Sequence, residues 1–328
     1  MNSGAIASLG VGSGDTLSRF VLGCATIGNL SQPLSEDDAA RMLEAAWNAG
    51  VRVFDTAPHY GVGLSEERLG RFLQGRDRSQ FVISTKVGRL LVESEADVDG
   101  VEGFYDTPRR TRIRDYSREG VRRSIEASCE RLQVDCVDIV LIHDPDDYED
   151  VALHEAYPAL AKLREQNVVR AIGLGMNQVP MLERFVASVD LDCVLVAGCY
   201  SLLNSEADQG FFQLCADQDV AVLVGGVYNS GILANPSAGL YRYAPPDEDV
   251  LRRVRAIESV CRRYGVSLRT TALQYVLRND AVTAVVVGAR SDREILENMF
   301  SLTTKVPDAL FVELGNLGLV DAPSGFSL

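Results

Sequence analysis

The chain carries eight short apolar runs rich in β-branched residues, and a helical pattern follows each of them. The runs are SRFVLGCATIG, VRVFDTA, FVISTKV, VDIVLIHDP, VVRAIGLG, CVLVAGCY, VAVLVGGV and AVTAVVVGA. Most are continuously apolar, which is typical of strands covered on both faces in a parallel sheet. No linker rich in Pro, Gly or Ser divides the units. The pattern therefore predicts a (β/α)8 barrel over an open doubly wound sheet, and we expect residues 1–328 to form this single domain.

The segments between these runs predict the helices and the loops that cover a site. Helices are predicted at residues 36–48, 66–74, 117–132, 153–166, 179–189, 206–218, 248–264 and 293–302. Two longer connections, residues 88–117 and 228–249, follow strands, so a barrel places both at its C-terminal face as lids. Residues 1–15 are expected to be a flexible start. Their GVGSGD run has no preceding strand and opens no helix, which argues against a dinucleotide-binding fingerprint.

The charge balance limits the classes of partner. The net charge is -14, from 32 Lys+Arg against 46 Asp+Glu, and such a chain repels nucleic acid and anionic membranes. Residues 109–123 are locally basic, and we favour a solvated loop and helix start there over a phosphate or nucleic-acid patch. We expect no nucleic-acid or membrane partner.

The cysteines and the apolar runs indicate the compartment. Seven cysteines are scattered without a C-x-x-C pair, which is typical of reduced core cysteine and predicts neither a disulfide framework nor a metal site. No apolar run reaches the ~18 residues of a membrane span, and the N-terminus lacks a signal-peptide pattern. We expect a cytoplasmic protein.

Polar side chains end three successive strands. Asp55, Lys86 and His143 close the second, third and fourth strands, and Tyr60 begins the loop after the second. A lysine opposite Asp55 would neutralise its buried charge and lower the pKa of a nearby phenol from ~10 towards neutrality. Tyr60 could then transfer a proton while His143 binds the same substrate oxygen. The alternatives are a structural ion pair, a strand-end hydrogen bond and an ordinary loop tyrosine.

The two remaining histidines are expected to have no such role. His59 adjoins Tyr60, but neighbouring side chains usually diverge, so we place it at the surface or behind the site. His154 falls in a helical pattern and is interpreted as structural.

At these residues the sequence resembles the aldo-keto reductase family, whose signature FDTA-x-x-YG-x-SE is present as FDTAPHYGVGLSE, with a two-residue expansion before Ser65. Asp55, Tyr60, Lys86 and His143 match the catalytic tetrad of that family in order and context. The resemblance implies a (β/α)8 barrel that transfers hydride between a nicotinamide cofactor and a carbonyl or alcohol, with the tyrosine as acid or base.

The resemblance also implies cofactor contacts. They are Asn177, Tyr228, Asn229, Ser230, Gly231, Gly288, Arg290, Glu294, Glu297 and Asn298. Asn177 matches the asparagine that holds the nicotinamide carboxamide, and the NSGIL segment matches the loop that crosses the pyrophosphate. Ala197 replaces the usual glutamine. Gly225 and Gly226 stand where the family has a stacking aromatic, so either Tyr228 compensates or the ring lies against backbone.

The segment after the eighth strand bears on the choice of cofactor. Glu297 and Asn298 match the adenine-contacting pair of the family. NADP-dependent members usually have lysine and arginine where this chain has Gly288 and Glu294. Glu294 would repel a 2′-phosphate, and only Arg290 is close enough in sequence to offset it. We therefore predict NAD over NADP.

Within the family, GVGLSEERLG, IHDPDD and GGVYNSGIL most resemble a bacterial group that contains aldose 1-dehydrogenases and pyridoxal 4-dehydrogenase. The resemblance implies oxidation of a cyclic hemiacetal to a lactone, with L-fucose or D-arabinose as substrate ahead of pyridoxal. The alternatives are an NADPH-dependent aldehyde reductase and a non-catalytic subunit that binds nicotinamide.

Family members are often monomers, so we expect a monomer or weak homo-oligomer. The pattern leaves open which loop side chains face the pocket: Phe104, Tyr105, Arg109, Tyr228, Tyr241 or Tyr243.

Overall fold

The computed structural model describes residues 4–12, 16–96 and 99–321. The strands in this part of the chain are β1 Phe20–Gly23, β2 Val53–Asp55, β3 Val82–Val87, β4 Arg89–Glu93, β5 Arg110–Arg114, β6 Ile139–His143, β7 Ala171–Met176, β8 Cys193–Ala197, β9 Ala221–Gly225 and β10 Val282–Gly288. Eight of them close a parallel barrel in the order β1-β10-β9-β8-β7-β6-β3-β2, while β4 and β5 form a separate antiparallel hairpin. Every apolar run singled out in the sequence is a barrel strand, which confirms the predicted fold class.

The helices lie between the strands, close to where the sequence predicts them. They are α1 Gly4–Ser8, α2 Glu36–Asn48, α3 Leu64–Leu73, α4 Arg118–Leu132, α5 Glu149–Val151, α6 Tyr157–Glu165, α7 Val179–Ser188, α8 Phe211–Asp217, α9 Glu248–Arg263, α10 Leu268–Leu277, α11 Asp292–Thr303 and α12 Asp308–Asn316. A π-helical turn joins α5 to α6. The sequence pattern does not predict α1, α10 or α12. It predicts one helix where the structure has the short turn Glu206–Asp208 followed by α8.

Helix starts follow ordinary capping chemistry. The side chains of Ser35, Ser117, Asp247, Ser267 and Ser291 each accept a hydrogen bond from a backbone N–H in the first turn of α2, α4, α9, α10 and α11. Each such cap stabilises a helix by about 1 kcal/mol. The caps set where each helix leaves its loop and so help to fix the loops that carry the site.

The N-terminal end of the barrel is closed by α1 and the turn after it. Ile6, Leu9 and Val11 are buried against the inward-facing residues at the starts of the strands, such as Val21 and Val53. The expected flexible start is therefore wrong for residues 4–12, because burial of these apolar side chains in the barrel stabilises the segment. Residues 13–15 of the glycine run lie outside the described residues.

The first long connection contains the β4–β5 hairpin, where the sequence pattern predicts a loop. Its arginines pair with carboxylates: Arg110 with Glu67 at 2.6 Å and Arg112 with Glu102 at 3.2 Å. Arg112 also donates to the carbonyl oxygen of His59, so the hairpin lies against the turn that carries Tyr60. Within the basic segment, Arg110, Arg112, Arg114 and Arg122 thus have acidic partners in the chain, and the hairpin forms an ion-paired lid over the C-terminal mouth.

Candidate active site

The last inward-facing layer of the barrel has polar side chains on one side and only glycine and alanine on the other. Val53, Val82 and Leu141 point into the barrel, and strand alternation directs Asp55, Lys86 and His143 to the same interior one or two layers higher. The corresponding positions on the other five strands carry no atom beyond Cβ. They are Gly175, Ala197, Gly225, Gly288 and Gly23. The mouth therefore has a polar half and an open half.

Asp55 and Lys86 form a buried ion pair that includes Tyr60. Lys86 Nζ donates to Asp55 Oδ2 at 2.7 Å, to the Thr56 carbonyl oxygen at 2.9 Å and to the Tyr60 hydroxyl at 3.0 Å. Ser84 donates to the other oxygen of Asp55 at 2.9 Å. Burial alone lowers the pKa of Lys86, but Asp55 and Tyr60 outweigh it and raise that pKa above its usual value. The ammonium is therefore charged, and its three protons are all engaged.

A tight turn holds Tyr60 at the edge of the mouth. Gly61 has φ +62°, and a Cβ there would lie 2.3 Å from the Gly28 carbonyl oxygen, so only glycine fits this contact. The Tyr60 ring is stacked on Phe104, with ring centres 6.2 Å apart. Burial raises the pKa of Tyr60 to about 12, although Lys86 acts to lower it. The expectation that Lys86 brings this pKa towards neutrality is thus wrong for the free protein, because loss of solvation outweighs the ammonium charge.

The rest of the signature stabilises the fold around this turn. Glu66 is fully buried and accepts hydrogen bonds from Thr85 Oγ1 and Arg131 Nε, both at 2.7 Å. Ser65 donates to the Cys24 carbonyl oxygen at 2.7 Å. These bonds tie α3 to β3, α4 and the end of β1, so the loop that carries Tyr60 is braced from three sides.

His143 ends β6 with its ring in the mouth and its backbone fixed. The Tyr116 hydroxyl donates to the carbonyl oxygens of His143 at 2.6 Å and Asp144 at 2.8 Å. Burial, together with Arg89 and Lys86, lowers the pKa of His143 well below its usual value. The ring is therefore neutral and can donate one hydrogen bond. The sequence reading did not find Tyr116, because nothing local marks a tyrosine that folds back onto another strand.

His59 lies inside the site, contrary to its expected place at the surface or behind the site. Its ring centre is 6.0 Å from that of Tyr60 and 5.5 Å from that of His143, while those two are 5.9 Å apart. Phe104 meets it edge-on at 5.2 Å. The sequence could not show this, because side-chain direction in the turn is fixed by the contact of Gly61 with Gly28 and by no repeating period.

Two of the loop aromatics left open by the sequence line the mouth. Phe104 is 3 % exposed and packs on Tyr60. Tyr243 is 69 % exposed, yet burial by its surroundings and the charge of Asp144 raise its pKa. Tyr243 in turn acts to raise the pKa of Tyr60, which places it near the mouth. Tyr105 is 36 % exposed at the outer side of the lid.

A cleft of about 740 Å³ lies beyond the mouth, between the loop after β9 and helices α9, α10 and α11. Of the implied cofactor residues, Glu294 and Glu297 line it. Arg269 and Arg293 line it as well, and the sequence reading missed both. Arg269 lies at the start of α10, a helix that the sequence did not predict, and its guanidinium is 3.2 Å from Glu297.

Two implied contacts are buried in the wall of this cleft. Asn298 is 0 % exposed, and its Oδ1 accepts from the Tyr228 hydroxyl at 2.9 Å and from Arg269 at 3.0 Å. The Tyr228 ring, 9 % exposed, lies under the Arg269 guanidinium at 5.3 Å. Tyr228 therefore packs the wall of the cleft and is not placed as a stacking ring at the open half of the mouth.

The implied pyrophosphate loop and Asn177 lie at the rim. Asn229, Ser230 and Gly231 have successive φ values of +45°, +58° and +100°. Asn229 is buried and accepts from Ser201 Oγ at 2.5 Å, while Ser230 Oγ accepts from the Tyr243 backbone N–H at 3.0 Å. Asn177 is exposed directly after β7. This loop therefore connects the rim of the mouth to the lid that carries Tyr243.

Arg290 is engaged away from the cleft. Its guanidinium donates to the carbonyl oxygens of Leu30 at 2.7 Å, Gln32 at 3.0 Å and Pro33 at 3.3 Å. Its backbone N–H donates to Glu294 Oε2 at 2.9 Å. Gly288 ends β10 beside these residues, with its carbonyl oxygen 3.4 Å from Asn298 Nδ2.

Two general features complete the description. None of the helices in the described part of the chain has the length and apolar character that crossing a bilayer requires. Among the same residues, His, Cys, Asp and Glu side chains nowhere gather in threes as metal ligands would.

Comparison with known proteins identifies the family. Residues 19–315 match the model of the aldo/keto reductase family. The chain is 39% identical over 309 residues to a D-threo-aldose 1-dehydrogenase of a Pseudomonas species, covering 92% of this chain and 94% of the relative. It is 33% identical over 331 residues to a pyridoxal 4-dehydrogenase of Microbacterium luteolum, covering 94% and 96%. The structure of a glycerol dehydrogenase from Gluconobacter oxydans, 23% identical, superposes with a TM-score of 0.73 over 94% of this chain and 95% of that one, which supports the fold.

These matches agree with the barrel fold. The chain is an oxidoreductase that acts on CH–OH or carbonyl groups of a small molecule and uses a nicotinamide cofactor. It belongs to the aldo/keto reductase family.

Proposed function

We propose that this enzyme oxidises the anomeric carbon of a cyclic hemiacetal, an aldose such as L-fucose or D-arabinose, to the lactone with NAD. The observation that carries the proposal is the contact of Tyr60 with Lys86 at 3.0 Å, at the border between the polar and open halves of the mouth. The D-threo-aldose 1-dehydrogenase relative supports an aldose as the substrate. We expect the protein to act in the cytoplasm as a monomer or weak homo-oligomer.

The residues of the mouth fit a nicotinamide dinucleotide. Gly175, Ala197, Gly225, Gly288 and Gly23 leave room for a flat ring against backbone, and the cleft beyond offers polar side chains for a second group. When bound, NAD supplies the hydride acceptor. We propose that Asn177 and the loop Asn229–Gly231 hold it near the mouth and that Glu297 faces its adenosine end.

The proton chemistry belongs to Tyr60, in our proposal. During oxidation its oxygen takes the proton of the anomeric hydroxyl, and during reduction the phenol donates it back. Lys86 stabilises the phenolate by its charge, and Asp55 holds Lys86 in place. His143, neutral and fixed through Tyr116, positions the substrate oxygen with a hydrogen bond.

The preference for NAD rests on charge in the cleft. Gly288 offers no cation, and Glu294 would repel a 2′-phosphate. Arg290, the residue expected to offset that repulsion, would have to give up its hydrogen bonds to Leu30, Gln32 and Pro33. Arg269 and Arg293 both lie beside Glu297, at 3.2 and 3.6 Å, and this carboxylate offsets part of their charge. These contacts support NAD over NADP.

Two alternatives have their own support. Pyridoxal in its cyclic hemiacetal form presents the same reacting group, and the Microbacterium luteolum relative favours it as the second substrate. The pKa of about 12 keeps Tyr60 in its acid form at neutral pH, which favours the direction of the second alternative, reduction of an aldehyde by an NADPH-dependent reductase.

Initial rates of reduced-nicotinamide formation test the proposal. NAD and NADP are each tested with L-fucose, D-arabinose, L-galactose and pyridoxal. We expect turnover with NAD on an aldose, and Tyr60→Phe should reduce it roughly 100- to 10,000-fold without weakening NAD binding measured by calorimetry. The matched control is Tyr105→Phe in the lid, which should retain activity. Turnover with pyridoxal alone would select the first alternative, and absence of oxidation of any substrate would refute the proposal.

A further inference from the structure

His59 is the third ring of the mouth and has no part in the proton chemistry proposed above. Its side chain is 13% exposed, and its ring lies 5.5 to 6.0 Å from the rings of His143 and Tyr60. Any substrate oxygen bound between Tyr60 and His143 therefore has His59 beside it. A polar ring at this place will contact the substrate atoms next to the reacting carbon.

The surroundings of His59 fix the position of its single proton. Nδ1 is buried and lies 3.2 Å from Glu102 Oε2, which Arg112 Nε also approaches at 3.2 Å. A nitrogen lone pair facing a carboxylate oxygen at this distance would be repelled, so the proton belongs on Nδ1 even though the two groups are not aligned as a hydrogen bond.

The ring carries no second proton. Burial, with Arg89, Arg112 and Lys86, lowers the pKa of His59 to about 2. Nε2 therefore keeps its lone pair, and no hydrogen bond from another described residue reaches it. Next to the reacting oxygen the mouth thus has His143 as a hydrogen-bond donor, Tyr60 as the group that gives or takes the proton, and His59 Nε2 as an acceptor.

We propose that His59 is a specificity-determining residue whose Nε2 accepts a hydrogen bond from the hydroxyl group on the carbon next to the reacting carbon of the substrate. The inference rests on the proposed oxidation of a hemiacetal and extends it to a substrate class, the 2-hydroxy aldoses and 2-hydroxy aldehydes. A substrate without this hydroxyl leaves the acceptor desolvated and unpaired, which costs roughly 10- to 100-fold in kcat/KM.

A matched pair of sugars tests the proposal, because 2-deoxy-D-ribose is D-arabinose without its 2-hydroxyl group. We expect the parent enzyme to prefer D-arabinose roughly 10- to 100-fold in kcat/KM and His59→Phe, which keeps an aromatic ring beside Phe104, to reduce that preference to about 2-fold. His59→Gln supplies an amide oxygen and should restore part of it. His154→Phe, which replaces a surface histidine 67% exposed, should change neither rate.

A second pair separates failure of this inference from failure of the proposed function. Reduction of L-lactaldehyde and propanal by reduced nicotinamide compares a 2-hydroxy aldehyde with its deoxy analogue, whether or not any aldose is oxidised. Loss of the lactaldehyde preference in His59→Phe supports the inference even if aldoses fail. The inference is overturned if His59→Phe slows both members of each pair by the same factor, or if the preference changes with a midpoint near pH 6.5, which would show a titrating ring.

Discussion

Replacement of Lys86 distinguishes a catalytic ion pair from a structural one. In Lys86→Met, the Asp55 carboxylate, 3 % exposed, keeps Ser84 as a donor but loses its counter-charge at 2.7 Å. Breaking one half of a buried pair costs about 3–5 kcal/mol in the free energy of unfolding. Asp55→Asn added to Lys86→Met removes the stranded charge. We expect the double variant to recover about 1–4 kcal/mol of that loss.

Activity should behave differently from stability. Without the ammonium at 3.0 Å, nothing opposes the effect of burial on Tyr60, so its pKa rises above the value of about 12 and the phenolate becomes harder to form. We expect both the single and the double variant to lose roughly 100- to 10,000-fold in the oxidation rate. Stability that returns while activity does not would separate the two roles of the pair.

The assay combines urea unfolding at pH 7, followed by circular dichroism, with initial rates at saturating NAD. Lys162→Met, at an exposed position of α6, is the control for loss of a lysine and should change neither quantity. A double variant as active as the parent would refute the role of Lys86 in tuning Tyr60. A double variant no more stable than Lys86→Met would refute the buried-charge argument.

Three other predictions follow from the charges of the site. Burial keeps Tyr60 protonated with a pKa of about 12, so kcat/KM for oxidation should rise about tenfold per pH unit in weakly alkaline buffer. The kcat/KM for reduction should not change over the same range, and pH–rate profiles in both directions would check both results. Folding lowers the pKa values of His59 and His143, so the unfolded chain binds more protons than the folded chain below pH 6.5. The free energy of unfolding, measured in urea, should therefore fall by up to about 1.4 kcal/mol per pH unit per histidine as the pH is lowered from 6.5 to 4.5. The slope should be shallower in His59→Phe. Glu294→Arg should raise kcat/KM for NADP relative to NAD by roughly tenfold, and an unchanged ratio would contradict the assigned repulsion.

The barrel and the ends of its strands could be predicted because they depend on short-range patterns. Continuous apolar runs report burial on both faces, and a period of two carries the inward direction from Val53 to Asp55 and from Leu141 to His143. The meeting of Asp55 with Lys86 then follows from the pairing of neighbouring strands β2 and β3. This part of the site needs only local sequence and parallel topology.

The remaining features depend on contacts between distant segments. The pKa of Tyr60 depends on the balance between burial, which raises it, and the charge of Lys86, which lowers it. Phe104 of the lid contributes to the burial, and no spacing in the sequence predicts that balance. The hairpin could not be predicted because the arginines of β5 alternate with Thr111 and Ile113, a mostly polar pattern shared by solvated loops. Arg269 could not be predicted because it lies on α10, which the sequence does not predict. This helix is buried on nearly all its faces, so it lacks the amphipathic period by which surface helices are found.

The charges around the mouth explain why a neutral substrate suits this enzyme. Lys86 pairs with Asp55 at 2.7 Å, Arg89 with Asp144 at 2.9 Å and Arg112 with Glu102 at 3.2 Å. Each cation near the reacting centre thus has its own carboxylate, although the protein as a whole carries -14. A phosphorylated sugar or a keto acid would have to break one of these pairs to be bound by a guanidinium. A neutral hemiacetal leaves these pairs intact, and it offers hydroxyl groups that the donor of His143 and the acceptor of His59 can distinguish. Selection of the substrate in this site therefore depends on the pattern of hydrogen-bond donors and acceptors.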